Sequence, residues 1–66
     1  MQIKLNGENR EIKTSATVAD LAEEMGIGAG GAAVGVNNRL IKRPDWPTTH
    51  LNENDDVIII KAAYGG

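Results

Sequence analysis

The absence of cysteine is the feature that most constrains how this 66-residue chain can fold. A core of this size supplies no more than roughly 3–5 kcal/mol of net stability, and many small domains therefore add disulfides or a metal. Without cysteine the chain has no disulfide, no cysteine-based zinc site and no cysteine nucleophile. The single histidine, His50, cannot form a histidine-rich metal site. We therefore expect one regular, tightly packed domain over residues 1–63, followed by a flexible C-terminal tail over residues 64–66.

Composition and charge argue against several classes of function. The net charge is −2, and only Trp46 and Tyr64 are aromatic. The chain therefore lacks the basic patch and the stacking platform that nucleic acids or anionic membranes require. No apolar run resembles a signal peptide or a membrane span. We expect a cytoplasmic protein with no nucleic-acid or membrane partner, too small to enclose a substrate pocket as an autonomous enzyme.

The first third of the chain predicts a β-hairpin and then a short helix. Apolar residues alternate in the runs Gln2–Asn6 and Arg10–Thr14, and Asn6-Gly7 between them suits a tight hairpin turn. Thr17 and Asp20 have the spacing of a capping box, which predicts a helix of about nine residues. Gly26 stands where a left-handed residue would end this helix. The apolar stripe of the helix comprises Val18, Leu21, Ala22 and Met25.

A glycine-rich segment over residues 26–31 contains the pattern G-x-G-x-x-G at Gly26, Gly28 and Gly31. In dinucleotide-binding proteins this pattern follows a strand and precedes a helix, so that the helix N-terminus faces the pyrophosphate. Here a predicted helix precedes the pattern and a strand follows it. We therefore interpret the segment as a flexible connector and discard a nucleotide site.

The second half of the chain predicts strands and turns. Ala33–Val36 and Leu40-Ile41 flank a turn, and a second turn around Asn54, which tolerates a positive φ, precedes Val57–Ile60. The β-branched run Val57–Ile60 predicts a central strand with apolar contacts on both faces. The order ββαβ(β)β is an α+β arrangement: a mixed four- to five-stranded sheet packed on one short helix. A helix crossover predicts that the third or the last strand pairs in parallel with the first. This arrangement resembles the β-grasp, or ubiquitin-like, fold.

Two polar groups of residues were considered as chemical sites and rejected. His50 and the acidic residues Glu53, Asp55 and Asp56 lack the ligand spacing of a calcium loop, so we expect a solvated turn and no metal. His50 could serve as a base for Ser15, Thr48 or Thr49, but near neighbours in sequence do not readily form such a relay and no orienting group is evident. We therefore expect no catalytic residue in this chain.

Three apolar residues raise the question of partner binding. Trp46, between Pro44 and Pro47, is expected to anchor its loop on the core, the alternative being an exposed partner contact. If Val57 and Ile59 face the helix, Ile58 and Ile60 lie on the opposite side of the sheet. That side would be either a partner-docking surface or buried under a neighbouring element.

The C-terminal residues Tyr64, Gly65 and Gly66 end the short segment, residues 61–66, that follows the last predicted strand. A tail without Cβ atoms can enter a narrow channel of a partner enzyme. A terminal carboxylate has a pKa of about 3.3–3.7 and is a poor electrophile at pH 7, so reaction with a nucleophile requires activation, for which ATP is the obvious reagent. The chain has no phosphate-binding motif, so activation belongs to a partner. Without cysteine, any sulfur it carries must be on the terminal carbonyl.

These features together resemble the ThiS family, the small sulfur carriers of thiamin biosynthesis. The resemblance covers essentially the whole chain. Its most specific parts are Arg43-x-x-Trp46 after the apolar pair Leu40-Ile41, and the terminal Gly65-Gly66. Asn54 stands where glycine is usual in the family, Lys42 where proline is frequent, and Tyr64 where a smaller residue is usual.

The resemblance implies a protein co-substrate rather than an enzyme. An E1-like activating enzyme would use ATP and Mg to adenylate Gly66, and sulfur from a source such as a cysteine desulfurase would convert it to a thiocarboxylate. Thiazole synthase would consume that sulfur, with Gly65 and Tyr64 threading the partner channels. The chain itself would bind no cofactor.

Other acceptors and another class of function stay open at this point. A sulfur carrier for molybdopterin or for tRNA thiolation, or a ubiquitin-like modifier of lysines, would share the fold and the Gly-Gly end. A β-grasp module that binds partners without covalent chemistry would have incidental terminal glycines.

Overall fold

The computed structural model describes residues 1–27 and 31–61. The described part of the chain contains one α-helix, one 3-10 helix and five strands, whose bounds are β1 Gln2–Leu5, β2 Glu8–Glu11, α1 Val18–Glu24, β3 Ala32–Val36, β4 Arg39–Ile41, the 3-10 helix Arg43–Thr48 and β5 Asp56–Lys61. No helix among these is long and apolar enough to cross a membrane. Residues 28–30 of the predicted glycine-rich connector, including Gly28, lie outside the described residues.

The strands form one mixed sheet in the order β2-β1-β5-β3-β4. β1 and β5 pair in parallel, with Lys4 opposite Asp56 and Leu5 opposite Val57. The pairs β1–β2, β3–β4 and β3–β5 are antiparallel. The last strand therefore lies in the centre and pairs in parallel with the first, which confirms the predicted α+β arrangement.

The first hairpin turns at the predicted dipeptide, but its second strand begins earlier than expected. Asn6 and Gly7 both have positive φ, 51° and 85°, so the turn takes only two residues and β2 starts at Glu8. The strand predicted over Arg10–Thr14 is thus wrong in its bounds. Ile12, whose apolar side chain suggested it, packs in the core just beyond β2 and donates its N–H to the Met1 carbonyl, 2.8 Å away.

Helix α1 begins with the predicted capping box. The Asp20 N–H donates to Thr17 Oγ1 over 3.1 Å, and the Thr17 N–H donates to Asp20 Oδ2 over 3.0 Å. The second bond lowers the pKa of the Asp20 carboxyl, because it stabilises the charged form. Gly26 follows the helix with a φ of 73°, as predicted. The helix has seven residues rather than about nine, because Met25 already serves as its C-cap.

One face of the sheet packs on the helix to form the core. Trp46 is 4% exposed and donates its ring N–H to the Ile41 carbonyl over 2.9 Å, while the Arg43 guanidinium lies 4.4 Å from the ring centroid. The interpretation of Trp46 as an anchor is therefore confirmed, and an exposed partner contact is wrong. The buried apolar residues are Ile3, Leu5, Ile12, Ala16, Val18, Leu21, Ala22, Ile27, Val34, Trp46, Leu51, Val57 and Ile59.

Candidate functional site

The face of the sheet that turns away from the helix carries an exposed apolar patch. On β5, Val57 and Ile59 are buried against the helix side, whereas Ile58 and Ile60 are 43% and 63% exposed. The expectation of apolar contacts on both faces of this strand is therefore wrong for the described residues, since the second face is open. The alternative prediction, that a neighbouring element buries Ile58 and Ile60, is likewise wrong for the described residues.

The register of the sheet extends this patch across three strands. Gly35 on β3 lies opposite both Ile58 on β5 and Leu40 on β4, and Ala33 lies opposite Ile60. Leu40 is 66% exposed. Because Gly35 has no side chain, the surface has a shallow depression at Gly35, between Leu40 and Ile58. We call this surface the apolar patch, defined by Ala33, Gly35, Leu40, Ile58 and Ile60.

Leu40 is a member of the patch that the sequence reasoning missed. It was expected only as part of a short return strand. The signal was nevertheless present, because the two turn residues Asn37 and Asn38 fix the register of the β3–β4 hairpin. With Val34 in the core, the same register places Leu40 on the opposite side of the sheet, next to Gly35.

The other half of the open face is polar and makes its own hydrogen bonds. Gln2 donates from Nε2 to Glu11 Oε1 over 2.7 Å, and the Met1 ammonium donates to Glu11 Oε2 over 2.8 Å. The ammonium lowers the pKa of the Glu11 carboxyl, because it favours the charged form. Lys4 and Asn9 lie opposite each other on the same side of this half. The open face is thus divided into a polar half on β1 and β2 and an apolar half on β3, β4 and β5.

The strand that carries two residues of the patch leads directly to the C-terminal tail. Ile60 is followed by Lys61, the last residue of β5, which pairs with Ala32 of β3. The predicted site residues Tyr64, Gly65 and Gly66 lie outside the described residues. The structure therefore places Ile58 and Ile60 together on one open surface, at the base of the segment that contains the predicted reactive end.

The residues considered for a metal or nucleophilic site make ordinary loop contacts. His50 is exposed, and its Nδ1 lies 3.3 Å from the Ser15 carbonyl oxygen. The hydroxyls of Thr48 and Thr49 both donate to the Asp45 carbonyl, over 3.2 and 2.7 Å. Residues 1–27 and 31–61 contain no group of three or more His, Cys, Asp or Glu side chains arranged to hold a metal ion.

The buried acid Asp55 stabilises the turn before β5. Its carboxylate accepts from the Asn52 N–H over 2.7 Å and from Asn37 Nδ2 over 3.0 Å. Asn54, which precedes Asp55 in this turn, has a φ of 68°, as its predicted turn role requires. The acidic segment is therefore a hydrogen-bonded turn that sets where β5 begins.

Comparison with known proteins agrees with the fold and the pattern of residues. Over its full length, the chain is 26% identical to the sulfur carrier protein ThiS of Escherichia coli (strain K12), over the whole of that protein. The fold is similar to the crystal structure of the thiamine biosynthesis protein ThiS from Geobacter metallireducens, with a TM-score of 0.84 and 20% identity over all of both chains. A solution NMR structure of a thiamine biosynthesis protein from the same organism gives a TM-score of 0.83 at 20% identity, covering all of this chain and 88% of that one.

The family model of the ThiS family matches residues 3–66, which is nearly the whole chain. This match includes the Arg43-x-x-Trp46 segment and the terminal glycines on which the resemblance rested. The chain therefore belongs to the ThiS family, the small sulfur carriers of thiamin biosynthesis.

Proposed function

We propose that the C-terminal carboxylate of Gly66 is the group that carries sulfur, and that the apolar patch docks the chain on the enzymes that load and unload it. The observation that supports this proposal is the position of the patch. Two of its large aliphatic side chains, Ile58 and Ile60, are on the strand that continues into the Gly-Gly tail. A partner that covers the patch would therefore also hold the base of the tail.

The loading chemistry follows from the properties of a carboxylate. An oxygen of the Gly66 carboxylate attacks the α-phosphorus of ATP and displaces pyrophosphate, which gives an acyl adenylate. A sulfur nucleophile at the oxidation level of sulfide then attacks the carbonyl carbon. AMP leaves with one of the former carboxylate oxygens, and the product is a thiocarboxylate.

The chain contributes the acyl group, and its partners contribute the catalysis. An E1-like activating enzyme would bind ATP and Mg. A cysteine desulfurase would supply the sulfur as a persulfide, which a thiol reductant would bring to the oxidation level of sulfide with formation of a disulfide, and thiazole synthase would accept the sulfur from the carrier. Tyr64 and Gly65 would lie in the partner channels, where the absence of a Cβ atom at Gly65 permits a close approach. In this scheme the chain is a recycled co-substrate with no catalytic residue or cofactor of its own, and it works in the cytoplasm.

The apolar patch has the size and character of a docking surface. Fully burying an exposed leucine or isoleucine side chain is worth roughly 1.5–3 kcal/mol. Leu40, Ile58 and Ile60 are each between 43% and 66% exposed, so each has a large part of this free energy left for a partner. A few residues near the centre of an interface dominate its affinity in most complexes, and we propose that Leu40, Ile58 and Ile60 have this role here.

Deletion of Gly66 tests the proposed function most directly. The intact mass of the chain is measured before and after incubation with a thiamin-pathway activating enzyme, ATP, Mg²⁺ and a sulfur source. We expect the full chain to gain the mass that corresponds to one oxygen replaced by sulfur. The chain that lacks Gly66 should show no gain, because its new terminus is one residue too short to reach the reacting phosphorus.

Two controls make this result decisive. Omission of ATP should abolish the gain in the full chain, and thermal unfolding should show that the Gly66 deletion leaves the domain folded. Equal sulfur loading of the full and shortened chains would contradict the proposal. The absence of loading in the full chain, with an activating enzyme that loads another carrier, would favour a β-grasp module that binds without covalent chemistry.

A further inference from the structure

The amide side chain of Asn6 replaces a missing strand residue beside β5. β1 ends at Leu5, opposite Val57, and the chain then turns away at Asn6 and Gly7. The Asn6 backbone N–H still donates to the Val57 carbonyl over 2.9 Å. Because backbone groups alternate along a strand, the next pair on this side of β5 belongs to Ile59, where β1 no longer runs.

Both backbone groups of Ile59 are bound by the Asn6 side chain. The Ile59 N–H donates to Asn6 Oδ1 over 2.9 Å, and Asn6 Nδ2 donates to the Ile59 carbonyl over 3.3 Å. The asparagine amide has the same donor and acceptor as a peptide group, so it extends the parallel pairing by one further position. Asn6 must also adopt a φ of 51° to make the turn. Glycine tolerates this φ but has no side-chain amide, and the aspartate side chain has no N–H donor.

This contact is located at Ile59, two residues before the last residue of β5. On the other side of β5, pairing with β3 continues to Lys61, opposite Ala32. On the side of β1, pairing between strands stops at Val57, and Asn6 alone among the described residues provides side-chain bonds to the strand at Ile59. The final residues of β5 therefore depend on Asn6 for two-sided support.

We propose that Asn6 is a positioning residue for the C-terminal tail: its amide holds the end of β5 in line, so that the tail enters the activating enzyme in a reactive orientation. The inference rests on the proposed function. An unsupported end of β5 would spread the tail over more orientations, and a smaller fraction of docked complexes would have Gly66 at the ATP. Docking through the apolar patch would change less, because Ile58 and Ile60 remain paired with Gly35 and Ala33 of β3 on the other side of β5.

Asn37 provides a matched control at the opposite end of the same strand. It also has a φ of 51° in a two-residue hairpin turn, and its backbone N–H donates to the Asp56 carbonyl over 2.8 Å. Its side-chain Oδ1 accepts from the Asp56 N–H over 3.0 Å, and its Nδ2 donates to Asp55 Oδ1 over 3.0 Å, so this amide too makes two hydrogen bonds. The substitutions Asn6→Gly and Asn37→Gly therefore preserve both turns and each remove an amide that binds the backbone of β5, near the tail or far from it.

The test compares these two variants as substrates of the activating enzyme, with thiocarboxylate formation followed by intact mass. We expect Asn6→Gly to lower kcat about fivefold or more with KM within twofold of wild type, because the unsupported end of β5 samples more backbone conformations. Asn37→Gly should leave kcat and KM within twofold. Amide hydrogen exchange at Ile59, whose N–H donates to Asn6 Oδ1, should accelerate in Asn6→Gly and stay unchanged in Asn37→Gly.

Each other outcome overturns the inference in a recognisable way. A kcat for Asn6→Gly equal to that of Asn37→Gly would show that the amide does not position the tail. A higher KM with unchanged kcat would place Asn6 in docking instead. If Asn6→Gly does not fold, Asn6→Asp, which keeps one acceptor and the turn, must show the lower kcat. A wild-type chain that gains no sulfur would contradict the proposed function itself, whereas normal wild-type loading with an unaffected Asn6→Gly overturns only this inference.

Discussion

The two faces of β5 have nearly the same side chains and opposite environments. Val57 and Ile59 are 0% and 9% exposed under the helix, whereas Ile58 and Ile60 between and beyond them are 43% and 63% exposed. All four are β-branched aliphatic residues in one central strand. Side-chain chemistry alone therefore does not decide which face is covered. The decision comes from helix α1, which packs on one face of the sheet.

This difference separates what holds the domain together from what is available to a partner. The apolar side chains of the covered face are buried away from water, and the free energy of that burial stabilises the fold. The apolar side chains of the open face are still in contact with water, so the free energy of burying them is available for binding, and the chain is folded without it. The division suits the proposed function, in which more than one enzyme binds the same surface in turn.

Alanine substitutions at two neighbouring isoleucines give the largest expected effect. Ile59→Ala should lower the free energy of unfolding by about 2–5 kcal/mol, because it leaves a cavity in the core. Ile60→Ala should change it by less than about 1 kcal/mol. Urea unfolding measures both values. In contrast, Ile60→Ala should raise KM for the activating enzyme about fivefold, as expected for the loss of an interface contact worth about 1 kcal/mol.

Because Ile59→Ala removes much of the net stability of so small a domain, Ile59→Val and Ile60→Val provide a milder pair. Ile59→Val should cost about 0.5–1.5 kcal/mol, and Ile60→Val should cost less. Asn9→Lys, on the polar half of the open face, is the control for KM and should leave it unchanged. Equal losses of stability at positions 59 and 60 would contradict the separation of the two faces.

A smaller effect is expected from weakening the helix that covers the core. A seven-residue helix is not stable alone and depends on its cap and its packing. Thr17→Ala removes the hydroxyl that accepts from the Asp20 N–H, and should lower the free energy of unfolding by about 1 kcal/mol. In a domain of this size, the melting temperature should fall by about 4–8 °C. Thr14→Ala, at an exposed position outside the cap, should leave it within about 2 °C.

The smallest effect concerns acid. The pKa of Asp20 is lowered in the folded chain by the hydrogen bond from the Thr17 N–H, so this carboxylate stabilises the fold above its unfolded pKa. That contribution should be lost as the pH falls from about 4 through the lower folded pKa. The midpoint of urea unfolding, measured from pH 7 to pH 2.5, should therefore depend less on pH in Asp20→Asn than in wild type. An unchanged profile for Asp20→Asn would contradict this account.

The sequence predicted best the features that depend on a few adjacent residues. Asn6-Gly7, the Thr17–Asp20 capping box and the positive φ at Asn54 all follow from local backbone and hydrogen-bond preferences. The start of β2 was missed because Ile12 continues an apolar alternation although its strand has already ended. The exposure of Ile58 and Ile60 was left open because it depends on which face the distant helix covers.

The residues of the candidate site show the same difference between features set by adjacent residues and features set by distant ones. Alternation in one strand predicted that Ile58 and Ile60 share the face opposite the helix, with exposure or burial left open, and both are exposed. Leu40 was missed because its neighbours in space, Gly35 and Ile58, come from two other strands. The role of Asn6 beyond its turn was equally invisible, since Ile59 is far from it in sequence and close only once β1 and β5 are paired.

The parallel pairing of β1 with β5 has a consequence for the order in which the chain acquires its structure. The hairpins β1–β2 and β3–β4 are local, but they are joined only through β5, the last strand along the described residues. During synthesis both hairpins emerge before the strand that unites them, and neither alone buries enough apolar surface to persist. Folding must therefore await the C-terminal segment and close a long loop, which favours one late cooperative step over stepwise assembly. A ribosome that stalls before Asp56 would hold two hairpins that are not joined into one sheet. Release of the six residues of β5 would then complete the sheet in one step.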